Sequence, residues 1–201
     1  MKQDPNLEVF ATNKTIPSVI RTNVLKALSH YPELKTTTIR FVFKKRIRKS
    51  VMQAQPLFIS LLKNRRHRAY QINISSVFRL THNITPIHQL PDEIMIGWIG
   101  HELGHIMDYE SRSNRGLVAF GYKYLASAGY VKQVEEIADT YAVNHGLAEY
   151  IITTKRFILD HAELPQTYKD KISRLYLSPD DIVEQVRKLE ERQAQKRASS
   201  K

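Results

Sequence analysis

The spacing of apolar residues changes character once along this chain. In the segment at 17–30 (PSVIRTNVLKALSH), Val19, Ile20, Val24, Leu25 and Leu28 recur at helical spacing behind Pro17, and predict an amphipathic helix. The next segment, TTTIRFVFKK, sets Ile39, Phe41 and Phe43 in alternation against charges and predicts a half-buried strand. Apolar, β-branched runs at 56–62 (PLFISLL) and 69–77 (AYQINISSV) predict two more strands, joined by a polar turn at 63–68 (KNRRHR). Residues 79–90 read as a loop. The first half is therefore expected to be a helix and a small antiparallel sheet.

After Pro91 the strand pattern stops. The segment at 91–111 (PDEIMIGWIGHELGHIMDYES) opens with Pro91, Asp92 and Glu93, which suit a helix N-terminus. Its later positions are apolar almost all the way round, which predicts a central helix. Helices are also expected at 116–129, at 131–151 and at 178–197, the last behind an N-capping Ser178 and Pro179. The fold class read from this order is α+β. The domain reading is one unit over 1–201: a helix-plus-sheet lobe to 90, a helical part at 91–177, and a C-terminal helix with a tail at 178–201.

That central helix carries the candidate chemistry. His101 and His105 are four apart and so share a helical face. Neutral imidazole nitrogens in that arrangement can bind one zinc ion, with Glu102 beside the metal as a base toward water. Histidines and a glutamate on so apolar a helix call for a reason, since burying them unpaired costs a few kcal/mol or more. Gly97, Gly100 and Gly104 lie on one stripe of the same helix, each at a cost of about 1 kcal/mol relative to alanine. Close approach of another element would offset it.

A catalytic zinc needs a third protein ligand. A pattern with Gly three and His six residues after the second histidine is absent, because Asp108 and Ser111 occupy those positions. No Gly- and Thr-rich downstream segment supplies an aspartate. The segment EEIAD (135–139) offers Glu135 and Asp139 on one helical face, with Ala138, Ala142 and Gly146 as small neighbours. Glu135 can then reach the metal while Asp139 accepts the Nδ1–H of a liganding histidine. Glu136 is the rival ligand, and all three acids also suit a solvated helix start.

HELGH followed by EEIAD resembles the gluzincin zinc metallopeptidases, in particular the group with an E-x-x-A-D second motif that includes CAAX-prenyl-protease-like and HtpX-like enzymes. With no segment apolar and long enough to span a bilayer, the chain is more similar to the soluble minigluzincins. The match covers about residues 92–146. The resemblance implies a zincin-like fold, a Zn2+ cofactor and peptide-bond hydrolysis. It assigns His101, His105 and Glu135 to the metal and Glu102 to general base catalysis. It also implies an extra oxyanion donor beyond the Glu-bearing helix. His145, Arg156, His161 and Tyr168 are the candidates, with His161 the preferred one.

Charge and composition refine the picture. The net charge of +11 is uneven: residues 1–90 hold 16 Lys/Arg against 3 Asp/Glu, and residues 91–201 hold 15 against 17. Basic clusters at 44–49 (KKRIRK) and 63–68 suit either a solvated surface or an acidic partner. An extended peptide added to the strand at 56–62 or 69–77 would meet that basic turn, which biases expectation toward acidic substrates. A nucleic-acid-associated role is the alternative, weakened because no aromatic residues interleave the clusters. A zinc protein with a blocked, zymogen-like site is another. The chain has no Cys, which excludes disulfides and thiolate chemistry. No apolar leader is seen at the N-terminus, so the expected location is cytoplasmic.

Overall fold

The structure is a computed structural model that describes residues 5–45, 47, 50–62, 67–80, 84–161 and 163–199. A one-turn helix α1 (Pro5–Glu8) leads into β1 (Lys14–Thr15) and the amphipathic helix α2 (Arg21–Ser29). Strand β2 (Thr38–Lys44) follows, then β3 (Met52–Pro56), the short helix α3 (Phe58–Leu61) and β4 (Ala69–Ser75). A small hairpin, β5 (Val77–Arg79) with β6 (Ile84–Pro86), closes the first half. The second half is helical: α4 (Asp92–Ser111), α5 (Asn114–Ala126), α6 (Ala128–Asn144), α7 (Ala148–Asp160), α8 (Gln166–Leu175) and α9 (Pro179–Ser199).

The main sheet has the order β1-β2-β4-β3 and is mixed, not antiparallel as expected. β1 pairs parallel to β2, and β2 parallel to β4; β3 alone runs antiparallel, against β4. The cause is the connectivity. Parallel neighbours need a crossover, and α2 supplies it between β1 and β2. β1 is two residues long, too short to leave a periodic signal, so the crossover is hidden in the sequence.

The run PLFISLL is not a strand. The ladder ends at Pro56, and residues 58–61 turn into α3. A short continuous apolar run does not distinguish strand from helix by periodicity. The true strand, MQAQP, is polar on its outer positions and buried at Met52 and Ala54. The segment 79–90 is not all loop, since it holds most of the β5–β6 hairpin; residues 81–83, like 63–66 of the basic turn, lie outside the described residues. The helix expected over 131–151 breaks where Gly146 takes φ +76°. Gly146 is therefore a helix stop, not a third small residue on the face of Glu135 and Asp139. Ser127 ends α5 and caps α6, its Oγ accepting the Tyr130 N–H at 3.2 Å.

α4 is the axis of the molecule. It packs against α2, β3, α6 and α7, and one hydrophobic cluster runs through the sheet and the helices around it. The glycine stripe permits the close crossings. A Cβ on Gly104 would stand 2.4 Å from the Ala138 carbonyl oxygen of α6, and one on Gly97 would stand 2.5 Å from the Tyr150 carbonyl oxygen of α7. Gly100 faces Leu147, between those two helices. The stripe thus serves two partners, where the sequence suggested one.

Candidate metal centre

The α4–α6 crossing at Gly104 sets the site. Ala138 lies against Gly104, and Glu135 and Asp139 occupy the same face of α6, so both carboxylates are carried to the histidine face of α4. His101, His105 and Glu135 converge: a donor atom from each lies within 4.8 Å of the others, and all three residues are buried. His101 Nε2 is 3.0 Å, and His105 Nε2 3.3 Å, from Glu135 Oε2. Donor atoms about 2.0–2.1 Å from a tetrahedral zinc lie about 3.3 Å from one another, so the spacing fits such an ion. Two imidazole nitrogens and one carboxylate oxygen also form a common donor set for zinc.

The surrounding contacts fix the donors. Asp139 Oδ1 sits 2.9 Å from His101 Nδ1, which turns Nε2 toward Glu135. Asp139 Oδ2 accepts from the buried Lys155 ammonium of α7 at 2.8 Å. Tyr124 of α5 donates its hydroxyl to Glu135 Oε1 at 3.2 Å. His105 Nδ1 is buried with no hydrogen-bond partner among the described residues, which leaves its Nε2 as the atom that engages the site. Glu136, the rival ligand, is turned away and pairs with Lys132 at 3.7 Å. Thus Glu135, Asp139 and Glu136 point where the helical face predicts.

Burial and charge set the titration of these groups. Burial acts against the charged forms of both His101 and Glu135. It is outweighed in each: Asp139 and Glu135 push the His101 imidazole up to about 10, and the two histidines hold Glu135 well below the usual carboxylate range. Asp139 is likewise lowered, against its burial, by Lys155 and His101. Glu102 behaves differently. Burial raises its pKa, with His105 and His101 opposing. Its Oε2 accepts the Ala54 backbone N–H at 2.6 Å, so β3, the outer strand of the sheet, holds the carboxylate from one side.

His101, Glu102 and Asp139 line a cavity of about 40 Å³, shared with Lys155 of α7, with Tyr168 and Ile172 of α8 and with Tyr176 just after it. The Lys155 ammonium lies 4.8 Å over the Tyr176 ring, and that ring stands 5.4 Å from the His101 imidazole. Burial raises the phenol pKa of both Tyr168 and Tyr176, so each remains a hydrogen-bond donor across the physiological range.

Of the four oxyanion candidates, Tyr168 alone is among the residues lining this cavity. His161 and Arg156 line a different cleft, with Pro91, Glu93 and Phe157, on the face of α7 opposite Lys155. His145 turns to Tyr141 and Glu33 and stacks on Tyr31. Tyr176, Tyr124, Lys155 and the Ala54 N–H were not anticipated. They come from four separate elements or their ends, and no spacing in the sequence relates them to the histidines. Searches against protein-family models, curated proteins and solved structures each found no match for this chain.

Proposed function

We propose that this chain is a zinc-dependent peptidase of gluzincin type. The observation that carries the reading is the convergence of His101, His105 and Glu135, with Glu102 next to His101 on α4 and these two lining one cavity. A zinc ion held by those three residues would supply Lewis acidity toward a carbonyl oxygen and toward water. Glu102 takes the proton from the attacking water and passes it to the leaving amine nitrogen. The Ala54 N–H occupies Oε2, which leaves Oε1 for that proton. Asp139 and Lys155 hold the His101 ring in place, and Tyr124 holds Glu135. Tyr168 and Tyr176 replace His161 as the hydroxyls offered to a developing oxyanion. An extended peptide would lie along β3, the outer strand beside Glu102.

The size of the cavity favours a second reading, a metal centre with closed access. About 40 Å³ holds one or a few waters and no peptide. Residues 168, 172 and 176, on one face of α8 and the turn after it, line part of it, so a peptide enters only if the space beside them widens. Zinc analysis and digestion of an unfolded protein such as casein separate the readings. Wild type should bind one zinc and cleave casein, and Glu102→Gln should bind zinc and not cleave. Zinc binding with no cleavage by wild type would favour the closed centre; absence of zinc would end both readings.

A further inference from the structure

We propose that α3 and the outer face of α5 form a docking surface for an anionic lipid bilayer. Helix α5 is apolar on two sides. Leu117, Phe120 and Tyr124 face inward, toward Tyr109 and the metal centre. Val118, Tyr122 and Leu125, at i, i+4 and i+7, face out with exposures of 65%, 76% and 89%. An apolar helix face is normally covered, and the outer one of α5 is not.

The second patch adjoins it. Phe58, Ile59 and Leu62 are 74%, 75% and 80% exposed on and just after the single turn of α3. The two patches meet at Asn114, the first residue of α5. Its Nδ2 donates to the Leu61 carbonyl at 2.8 Å, and its Oδ1 accepts from the Arg68 guanidinium. Asn114, Val118, Tyr122 and Leu125 fall on one helical stripe, so the exposed face of α5 starts where α3 ends.

Charge complementarity identifies the occupant. No Asp or Glu occurs between Glu33 and Asp92, or between Glu110 and Glu135, the two stretches that supply this surface. Arg115 and Lys123 are exposed on α5. A protein partner needs a pocket shaped to such protruding side chains, whereas a bilayer accepts them as they stand. Exposed apolar residues on two stretches that carry cations and no acids fit an anionic interface.

The test is co-sedimentation of the full chain with phosphatidylcholine vesicles, with and without phosphatidylserine. Binding should need phosphatidylserine, and should fall roughly tenfold or more as salt rises from about 0.1 M to about 0.5 M. The pairs Phe58→Ser with Leu62→Ser, and Tyr122→Ser with Leu125→Ser, should each lower partitioning by roughly tenfold or more while leaving thermal unfolding near wild type. No binding to the anionic vesicles would overturn the proposal. So would binding that both pairs leave intact, or equal binding to neutral vesicles. A dimer that both pairs dissolve, with no vesicle binding, would assign the surface to a second copy of the chain instead. Vesicle binding is read without any assay of hydrolysis or metal, so its failure leaves the proposed function standing.

Discussion

At the scale of single residues, the register of α6 decides the chemistry. Glu135→Ala removes a negatively charged donor and should abolish stoichiometric zinc binding. Asp139→Ala removes the group that orients His101, not a donor, so affinity should fall by about 10–100-fold, and it also leaves the buried Lys155 ammonium without its carboxylate, which should lower stability. Glu136→Ala should change little, because Glu136 pairs with Lys132 at the surface. Competitive chelator titration of the three variants reads this order. The residues that spacing alone relates, His101 with His105 and Glu135 with Asp139, were legible before any coordinates, because i and i+4 share a face whatever surrounds them. Lys155, Tyr124 and Tyr176 were not. Each reaches the site from another element, and only tertiary packing makes them neighbours. His161 was preferred on its chemical type and its position after the Glu-bearing helix, but α7 turns it to the opposite side from Lys155.

At the scale of elements, the crossing of α4 and α6 is the joint on which the site depends. A methyl group at position 104 would meet the Ala138 carbonyl oxygen at 2.4 Å, and a backbone atom cannot step aside as a flexible side chain does. Gly104→Ala should therefore separate the helices, at a cost of about 1–3 kcal/mol, and weaken zinc binding, since Glu135 is one turn from Ala138. Gly121→Ala is the control. Nothing lies within 4 Å of its added carbon, so it should be neutral or stabilising by up to about 1 kcal/mol. Thermal unfolding and zinc titration of both variants test the joint; equal effects would remove the crossing from the account. The glycine stripe in the sequence correctly announced a close approach. It did not announce two partners, because the break at His145–Gly146 that separates α6 from α7 looked like helix continuation. The element reading failed where the signal was a two-residue strand, in β1, or an ambiguous apolar run, in α3.

At the scale of the whole molecule, the buried charges link metal, pH and stability. Without metal, the His101 imidazolium contributes stability that is full below its ordinary pKa of about 6.5 and is lost as pH rises toward about 10. Glu135 and Asp139, held below the ordinary carboxylate range, contribute stability that is full above about pH 4.5 and is lost as pH falls. These contributions coincide at about pH 5–6, so metal-free protein should lose stability from them on either side of that window. A zinc ion held by His101 would need a neutral imidazole, so protons would compete with it. The rise in melting temperature on adding zinc should therefore be larger at pH 8 than at pH 6. A larger rise at pH 6 would mean that His101 is not a ligand. The α+β order of the chain was legible as a switch from alternating to helical spacing near Pro91. The part that α8 takes in lining the cavity was not, because the segment 152–177 carried no assigned element.

The most direct test of the metal centre is zinc stoichiometry by elemental analysis of wild type, His105→Ala, Glu135→Ala and Glu136→Ala purified alike. The expected result is one zinc per chain in wild type and Glu136→Ala, and little or none in the other two. Full zinc in Glu135→Ala, or its loss in Glu136→Ala, would contradict the site described here.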